Sequence, residues 1–281
     1  MAKSVLVTGS SSGIGLSTSQ KFASEGWKVF ATMRTPDKGT ELAAEAAEKG
    51  WDLELVALDV RSSASVDKCF DEVYTTVDAL DAVVNNAGHG MLAPVEEASD
   101  EEIQAVFDTN VFGMVRVTRR ALPPMREKGT GAIVNLSSMG GHVVFPHFAY
   151  YHATKWALEA LTEGLYLELQ PLGVRVYAVM PGLVASGFGR GGIRAEKVST
   201  KETVYQEDID AVIEGFMNLL PNRVGPETAA EKIFEVVESG STELHHYSDA
   251  FAEEMVTSRK SRMDSEWFDF FIHEMLGMAE R

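Results

Sequence analysis

Three side chains near the middle of the chain have the types and spacing for proton transfer at an oxygen: Ser138, Tyr151 and Lys155. Residues four apart on a helix share a face, which brings Tyr151 and Lys155 together. An ammonium beside a phenol favours the phenolate, and an unperturbed tyrosine titrates near ~10. A lowered value would suit Tyr151 to give and take a proton near neutral pH. A Tyr-x-x-x-Lys pair alone is weak, because many exposed helices carry one. Tyr150 adjoins Tyr151, but only Tyr151 stands four residues from Lys155. His152 sits one position further round the helix, should face elsewhere, and is given no role.

The elements that must position this group alternate between strand and helix. Strands are expected at about 4–8, 28–33, 53–58, 81–85, 131–136 and 174–180. Helices are expected at about 13–25, 38–49, 63–77, 99–127, 150–170 and 226–238. Repeated βα units imply a parallel sheet with helices on both faces. The first strand, an apolar and β-branched run, leads into Gly9-Ser10-Ser11-Ser12-Gly13-Ile14-Gly15 and then a helical pattern. A strand, a glycine-rich turn and a helix N-terminus together point backbone N–H groups at phosphate. Residues 183–225, rich in glycine and polar residues, are read as a lid over the site. The C-terminal extension, about 240–281, carries apolar spacing that suggests one or two helices, with most of its aromatics in core packing.

In chain order, Thr8-Gly9-Ser10-Ser11-Ser12-Gly13-Ile14-Gly15, Asp59-Val60, Asn85-Asn86-Ala87-Gly88, Asn110, Ser138, Tyr151-x-x-x-Lys155 and Pro181-Gly182 resemble the motif set of the short-chain dehydrogenase/reductase family. The resemblance extends over most of residues 4–186. Segment 29–34 (VFATMR) and the longer C-terminal part look most similar to the 17β-hydroxysteroid and retinol dehydrogenase-like branch. The resemblance implies a Rossmann-type, doubly wound parallel sheet in an α/β/α sandwich, as one domain over 1–281. It picks Ser138 over Ser137 and assigns it the substrate oxygen. Tyr151 is implied as proton donor and acceptor, with Lys155 favouring its phenolate and holding the nicotinamide ribose. Asn110, at a helix interruption, is implied to hold a water that links Lys155 to solvent.

The same resemblance outlines a cofactor site. Gly9, Gly13, Ile14 and Gly15 form the phosphate turn, Asp59 and Val60 meet the adenine, and Asn86, Ala87 and Gly88 let the cofactor lie against backbone. Pro181, Gly182, Val184 and Ser186 are implied at the nicotinamide end; the family often has threonine where Ser186 stands. NAD binders tend to carry an acid at the end of the second strand. Here Thr32, Met33 and Arg34 stand there, with no acid before Asp37. Arg34 can fork onto a 2′-phosphate and Ser11 or Ser12 can donate to it, so NADP(H) is expected over NAD(H). His89, Met91, Val144, Phe145, Phe148 and Phe188 should flank the reacting centre. That apolar lining suits a bulky hydrophobic ketone, aldehyde or secondary alcohol. Other readings are an NAD(H)-dependent alcohol dehydrogenase, a non-catalytic NADP-binding regulator, or an epimerase or dehydratase of the extended branch. The last is disfavoured because the chain lacks a Gly-x-x-Gly-x-x-Gly turn.

Composition narrows the partners. The 281 residues are 45% apolar, enough for a packed core, with a formal net charge of −17. That charge argues against nucleic acid or an anionic membrane as the main partner. Acid is concentrated in 201–281, with 18 Asp and Glu against 7 Lys and Arg. No run approaches the ~20 apolar residues of a membrane span, and a cytosolic location is the simplest. The one cysteine, Cys69, is expected to be a buried structural thiol, and no metal site is expected. Apolar stripes on 99–127 and 150–170, such as Leu158, Leu161, Leu165 and Leu169, suit either core packing or subunit contacts, and a homodimer or homotetramer is expected.

Overall fold

A computed structural model describes residues 2–185 and 192–277. The expectations for Ser186 and Phe188 lie outside the described residues. The strands are β1 Ser4–Thr8, β2 Lys28–Met33, β3 Leu53–Ala57, β4 Ala82–Asn85, β5 Met91–Leu92, β6 Gly131–Leu136, β7 Val174–Met180, β8 Ile193–Arg194 and β9 His245–Tyr247. The α-helices are α1 Gly13–Ser24, α2 Thr40–Lys49, α3 Ser63–Val73, α4 Asp100–Phe107, α5 Gly113–Lys128, α6 Ala149–Leu169, α7 Glu196–Thr200, α8 Gln206–Leu219, α9 Pro226–Ser239, α10 Ala250–Ser261 and α11 Asp264–Asp269.

Seven strands form one parallel sheet in the order β3-β2-β1-β4-β6-β7-β9. Such a sheet is covered on both faces, so its central strands read as near-continuous apolar runs. In β1, Val5 and Val7 face one layer with Phe22, Leu42 and Ile233 of α1, α2 and α9. Leu6 faces the other, with Phe70, Val117 and Leu169 of α3, α5 and α6. The strand order reverses between β1 and β4, and ligands of doubly wound sheets bind at that switch, beyond the carboxyl ends of the strands. The Rossmann-type α/β/α fold expected from the sequence is the one observed.

Three local features depart from the expected elements. First, the expected helix over 99–127 is two helices joined by a π-turn at Asp108–Phe112, with Asn110 at its centre. Second, β9 had no strand signal because His245-His246-Tyr247 lacks alternation; it is added as an edge strand beside β7, His245 opposite Ala178. Third, the segment read as a lid contains α7 and α8. In α8, Ile209, Val212 and Leu219 are buried at helical spacing, a pattern diluted in the sequence by acidic neighbours. The C-terminal aromatics largely serve as core, as expected: Trp267 and Phe271 pack with Met139, Val143 and Phe145.

Candidate active site

The glycine turn joins β1 to α1. Gly9 has a φ of +73°, a left-handed conformation that favours glycine. At Gly15 a Cβ would lie 2.4 Å from the Gly9 carbonyl oxygen and from Asn86 Nδ2, so only hydrogen fits where helix and strand ends meet. Ser12 precedes α1 without a side-chain cap, and the first turn of the helix carries no acid. Its first N–H groups and positive dipole end therefore remain available to an anion. Ser11 and Ser12 are exposed beside them, with Ile14 packed behind.

Asn86, Ala87 and Gly88 are tied to this turn. Asn86 Nδ2 donates to the carbonyls of Thr8 at 2.7 Å and Gly9 at 3.2 Å, and the N–H groups of Asn86 and Ala87 both donate to Thr8 Oγ1 at 2.9 Å. Asp59 receives two guanidinium bonds from Arg61, at 3.1 and 2.8 Å. Arg61 chiefly, with Arg34 adding to it, holds the Asp59 carboxyl below its usual range against the opposing effect of burial. Arg34 is exposed at the end of β2. Val60 is buried above Gly113, and Arg116 holds its carbonyl at 3.2 Å while pairing Asp108 at 2.7 Å.

The proton-transfer candidates meet at the ends of β6 and α6. Ser138 follows β6; its Oγ accepts the Gly140 N–H at 3.0 Å and its hydroxyl hydrogen-bonds the Tyr151 phenol. Lys155 is buried, donates to the Leu136 carbonyl at 2.7 Å, and lies 6.0 Å from the centre of the Tyr151 ring. Tyr150 and Ser137 point elsewhere, to the Val95 carbonyl at 2.8 Å and to Glu159.

The electrostatics of the pair differ from expectation. Burial pushes the Tyr151 phenol up to about 12, and the Ser138 hydrogen bond only partly opposes it. Burial brings Lys155 down to about 8, with the Glu159 carboxylate pulling the other way. Lys155 directs one hydrogen bond to the Leu136 carbonyl, and burial is the largest influence on the Tyr151 phenol.

Asn110 is committed to its neighbours. Its Oδ1 accepts the His89 N–H, and its Nδ2 donates to the His89 carbonyl and to Thr154, all at 3.0 Å. The π-turn thus fastens the loop after β4 to α6. At the far end, Gly182 N–H donates to Asp249 at 2.9 Å, and the Pro181 carbonyl accepts from Met139 at 2.9 Å. Val184 bridges to Val224 through the Leu183 carbonyl and the Ala185 N–H, which turns its own backbone groups to the opposite edge.

The expected substrate lining divides. Met91 and Phe145 are 1% and 2% exposed, sealed in apolar clusters behind the site rather than facing it. Phe145 packs on Phe216 and Phe271 at 4.5 and 4.9 Å between ring centres. Val144 is 40% exposed and Phe148 half-buried against Phe216. His89 is half-buried, its imidazole held below its usual range chiefly by burial.

His152, given no role from the sequence, clamps the loop between β6 and α6. Phe145 N–H donates to its Nε2 at 3.0 Å, so the ring proton sits on Nδ1 and is donated to the Gly140 carbonyl at 2.9 Å. A buried network was also missed: Asn85 bonds Thr118 and Asn135, and Asn135 bonds Thr162. Its members lie on four separate elements, so no local signal links them.

The short chain dehydrogenase family model matches residues 3–196. The chain belongs to this family of oxidoreductases. It is 34% identical to a 3-ketodihydrosphingosine reductase of Bacteroides thetaiotaomicron over 184 residues, 66% of this chain and just under two thirds, 65%, of that reductase. A solved short-chain dehydrogenase from Streptomyces avermitilis is 32% identical and superposes with a TM-score of 0.80, covering 96% of this chain and 97% of that one. A point variant of actinorhodin polyketide ketoreductase, crystallised with NADPH, is 29% identical with a TM-score of 0.76, covering 88% and 95%. Among the described residues, no helix is long and apolar enough to cross a membrane.

Proposed function

We propose that this chain is an NADP(H)-dependent oxidoreductase that interconverts a hydrophobic ketone or aldehyde and the corresponding alcohol. One observation carries the reading: the hydrogen-bonded Ser138–Tyr151 pair and buried Lys155 stand at the same sheet edge as an uncapped, glycine-lined helix N-terminus. The cofactor, when bound, supplies or removes hydride at the carbonyl carbon. Tyr151 gives its phenolic proton to the carbonyl oxygen in reduction and takes it back in oxidation. Ser138 donates to that oxygen and stabilises the negative charge that develops there. Lys155 holds the nicotinamide ribose and favours the phenolate, with Asn110 positioning the water that resupplies its proton.

The glycine turn and the α1 N-terminus fit a pyrophosphate. Arg34 fits a 2′-phosphate, because Arg61 rather than Arg34 pairs with the nearby Asp59 carboxylate. Asp59 and Val60 border the adenine; Asn86, Ala87, Gly88, Pro181, Gly182 and Val184 border the remainder. The 3-ketodihydrosphingosine reductase and the NADPH-bound polyketide ketoreductase among its relatives support a ketone substrate and NADP(H). An apolar substrate also accords with the 17β-hydroxysteroid and retinol dehydrogenase-like branch. The chain would act as one cytosolic domain, with 183–225 covering the site. Trp156 and Leu167, 49% and 71% exposed on α6, favour a homodimer or homotetramer.

The test compares loss of reduced-nicotinamide absorbance with NADPH and with NADH across a panel of hydrophobic ketones and aldehydes. NADPH-dependent turnover is expected. NADH preference would remove the Arg34 assignment but keep the chemistry. Tight NADPH binding with no turnover on any substrate would favour the non-catalytic regulator.

A further inference from the structure

One turn beyond Lys155 on α6 stands Glu159, 5% exposed. Its Oε1 accepts the Ser137 hydroxyl, and its Oε2 lies 3.0 Å from His245 Nε2. His142, on the turn that follows Ser138, completes a cluster. One ligand-type atom from each of His142, Glu159 and His245 lies within 4.8 Å of the others. These residues come from the β6–α6 connection, α6 and β9, so tertiary structure alone unites them.

One feature of the cluster lacks an explanation within the protein. His142 Nε2 is buried and has no hydrogen-bond partner; such orphaned atoms are rare and often mark an ion or water. Glu159 is a buried carboxylate that no Lys or Arg pairs with among the described residues, its ion-pair partner being His245. Buried charges are normally paired or bound to metal.

We propose that His142, Glu159 and His245 form a binding site for a divalent transition cation of the zinc class. Two imidazole nitrogens and one carboxylate oxygen suit such an ion, whereas calcium and magnesium prefer oxygen shells. Ligands about 2.1 Å from a tetrahedral ion lie about 3.4 Å apart, so the widest pair, within 4.8 Å, must close by at most about 1.4 Å. His142, half-buried on a short turn, is placed to make that movement. The Ser137 hydroxyl orients the carboxylate from behind, as outer partners do in metal sites. Glu163 Oε1, 3.8 Å from His245 Nε2, offers a fourth oxygen at the mouth. Binding replaces the His245 proton that faces Glu159, and that proton leaves to solvent. The charge of Lys260 opposes the ion at His142, and the carboxylates of Glu159 and Glu163 outweigh it. The site does not depend on the hydride-transfer reading.

The full chain, stripped of metal, is titrated with Zn²⁺ by calorimetry. One ion per chain is expected, with binding at least tenfold weaker in His142→Gln and in His245→Gln and unchanged in His246→Gln. Equal affinity in wild type and the folded His142→Gln/His245→Gln double variant would overturn the proposal, as would no binding by wild type. X-ray absorption of the zinc-loaded wild type decides independently of any variant: two imidazoles in the metal shell support the site, and a shell of oxygens alone refutes it.

Discussion

His152 makes acid stability a test of the active-site scaffold. It is 3% exposed, and burial pulls its imidazole down to about 4 despite the hydrogen bond to Gly140. Its Nε2 accepts a backbone N–H, so protonation would set donor against donor. A base whose folded value lies below its unfolded value, ~6.5, is disfavoured in its charged form by the fold. The contribution is therefore complete above about pH 6.5 and is lost as pH falls toward about 4. At about 1.4 kcal/mol per unit, the ceiling is roughly 3 kcal/mol, and between about pH 7 and pH 5 the linkage integral gives a loss of about 2 kcal/mol. Urea unfolding of wild type and His152→Gln at both pH values isolates this share, because other titrating groups cancel in the difference. Wild type should lose about 2 kcal/mol more than the variant. Equal losses in the two proteins would refute the buried, neutral imidazole and with it the clamp on the Ser138 loop.

Tyr151→Phe should lower kcat by about 10²- to 10⁴-fold while NADPH binding, followed by fluorescence titration, stays within a few-fold of wild type. Reductive kcat/KM should hold at neutral pH and fall above about 8, where Lys155 loses its proton; a flat profile through that range would remove the ammonium from the mechanism. Arg34→Asp should weaken NADPH about tenfold or more, the worth of a charge-assisted bond, and leave NADH nearly unchanged in the same titration. Cys69, buried and pushed up to about 12 by burial, should stay unreactive toward a disulfide reagent until the chain is unfolded.

The extent to which the sequence revealed this molecule follows the range of the forces involved. β1 and β6 were legible because strands buried on both faces must be apolar throughout. The glycine turn was legible because Gly9 and Gly15 answer backbone constraints that act within a few residues. Ser138, Tyr151 and Lys155 were legible through spacing and resemblance, and the choice of Tyr151 over Tyr150 agrees with the Tyr150 bond to Val95. His152 was passed over because its partners, Gly140 and Phe145, belong to a loop whose path no local pattern fixes. Met91 and Phe145 were placed at the pocket wall by nearness to motifs, yet hydrophobic burial drew them into clusters with α8 and the C-terminal helices.

The titration of Tyr151 shows the same division at the chemical centre. Helical spacing correctly places a lysine one turn away, and charge attraction alone would then lower the phenol. Desolvation depends on everything packed around the pair, and it acts on both groups, raising Tyr151 to about 12 and lowering Lys155 to about 8. With the tyrosine at about 12 and the lysine at about 8, a proton shared between them rests on the phenol. Ser138, through its hydrogen bond to the phenol, narrows the gap from the tyrosine side, and the Glu159 carboxylate narrows it from the lysine side by holding Lys155 charged. Local sequence fixed the partners of this site, whereas the balance between them is set by contacts spread over β6, α6 and the C-terminal helices.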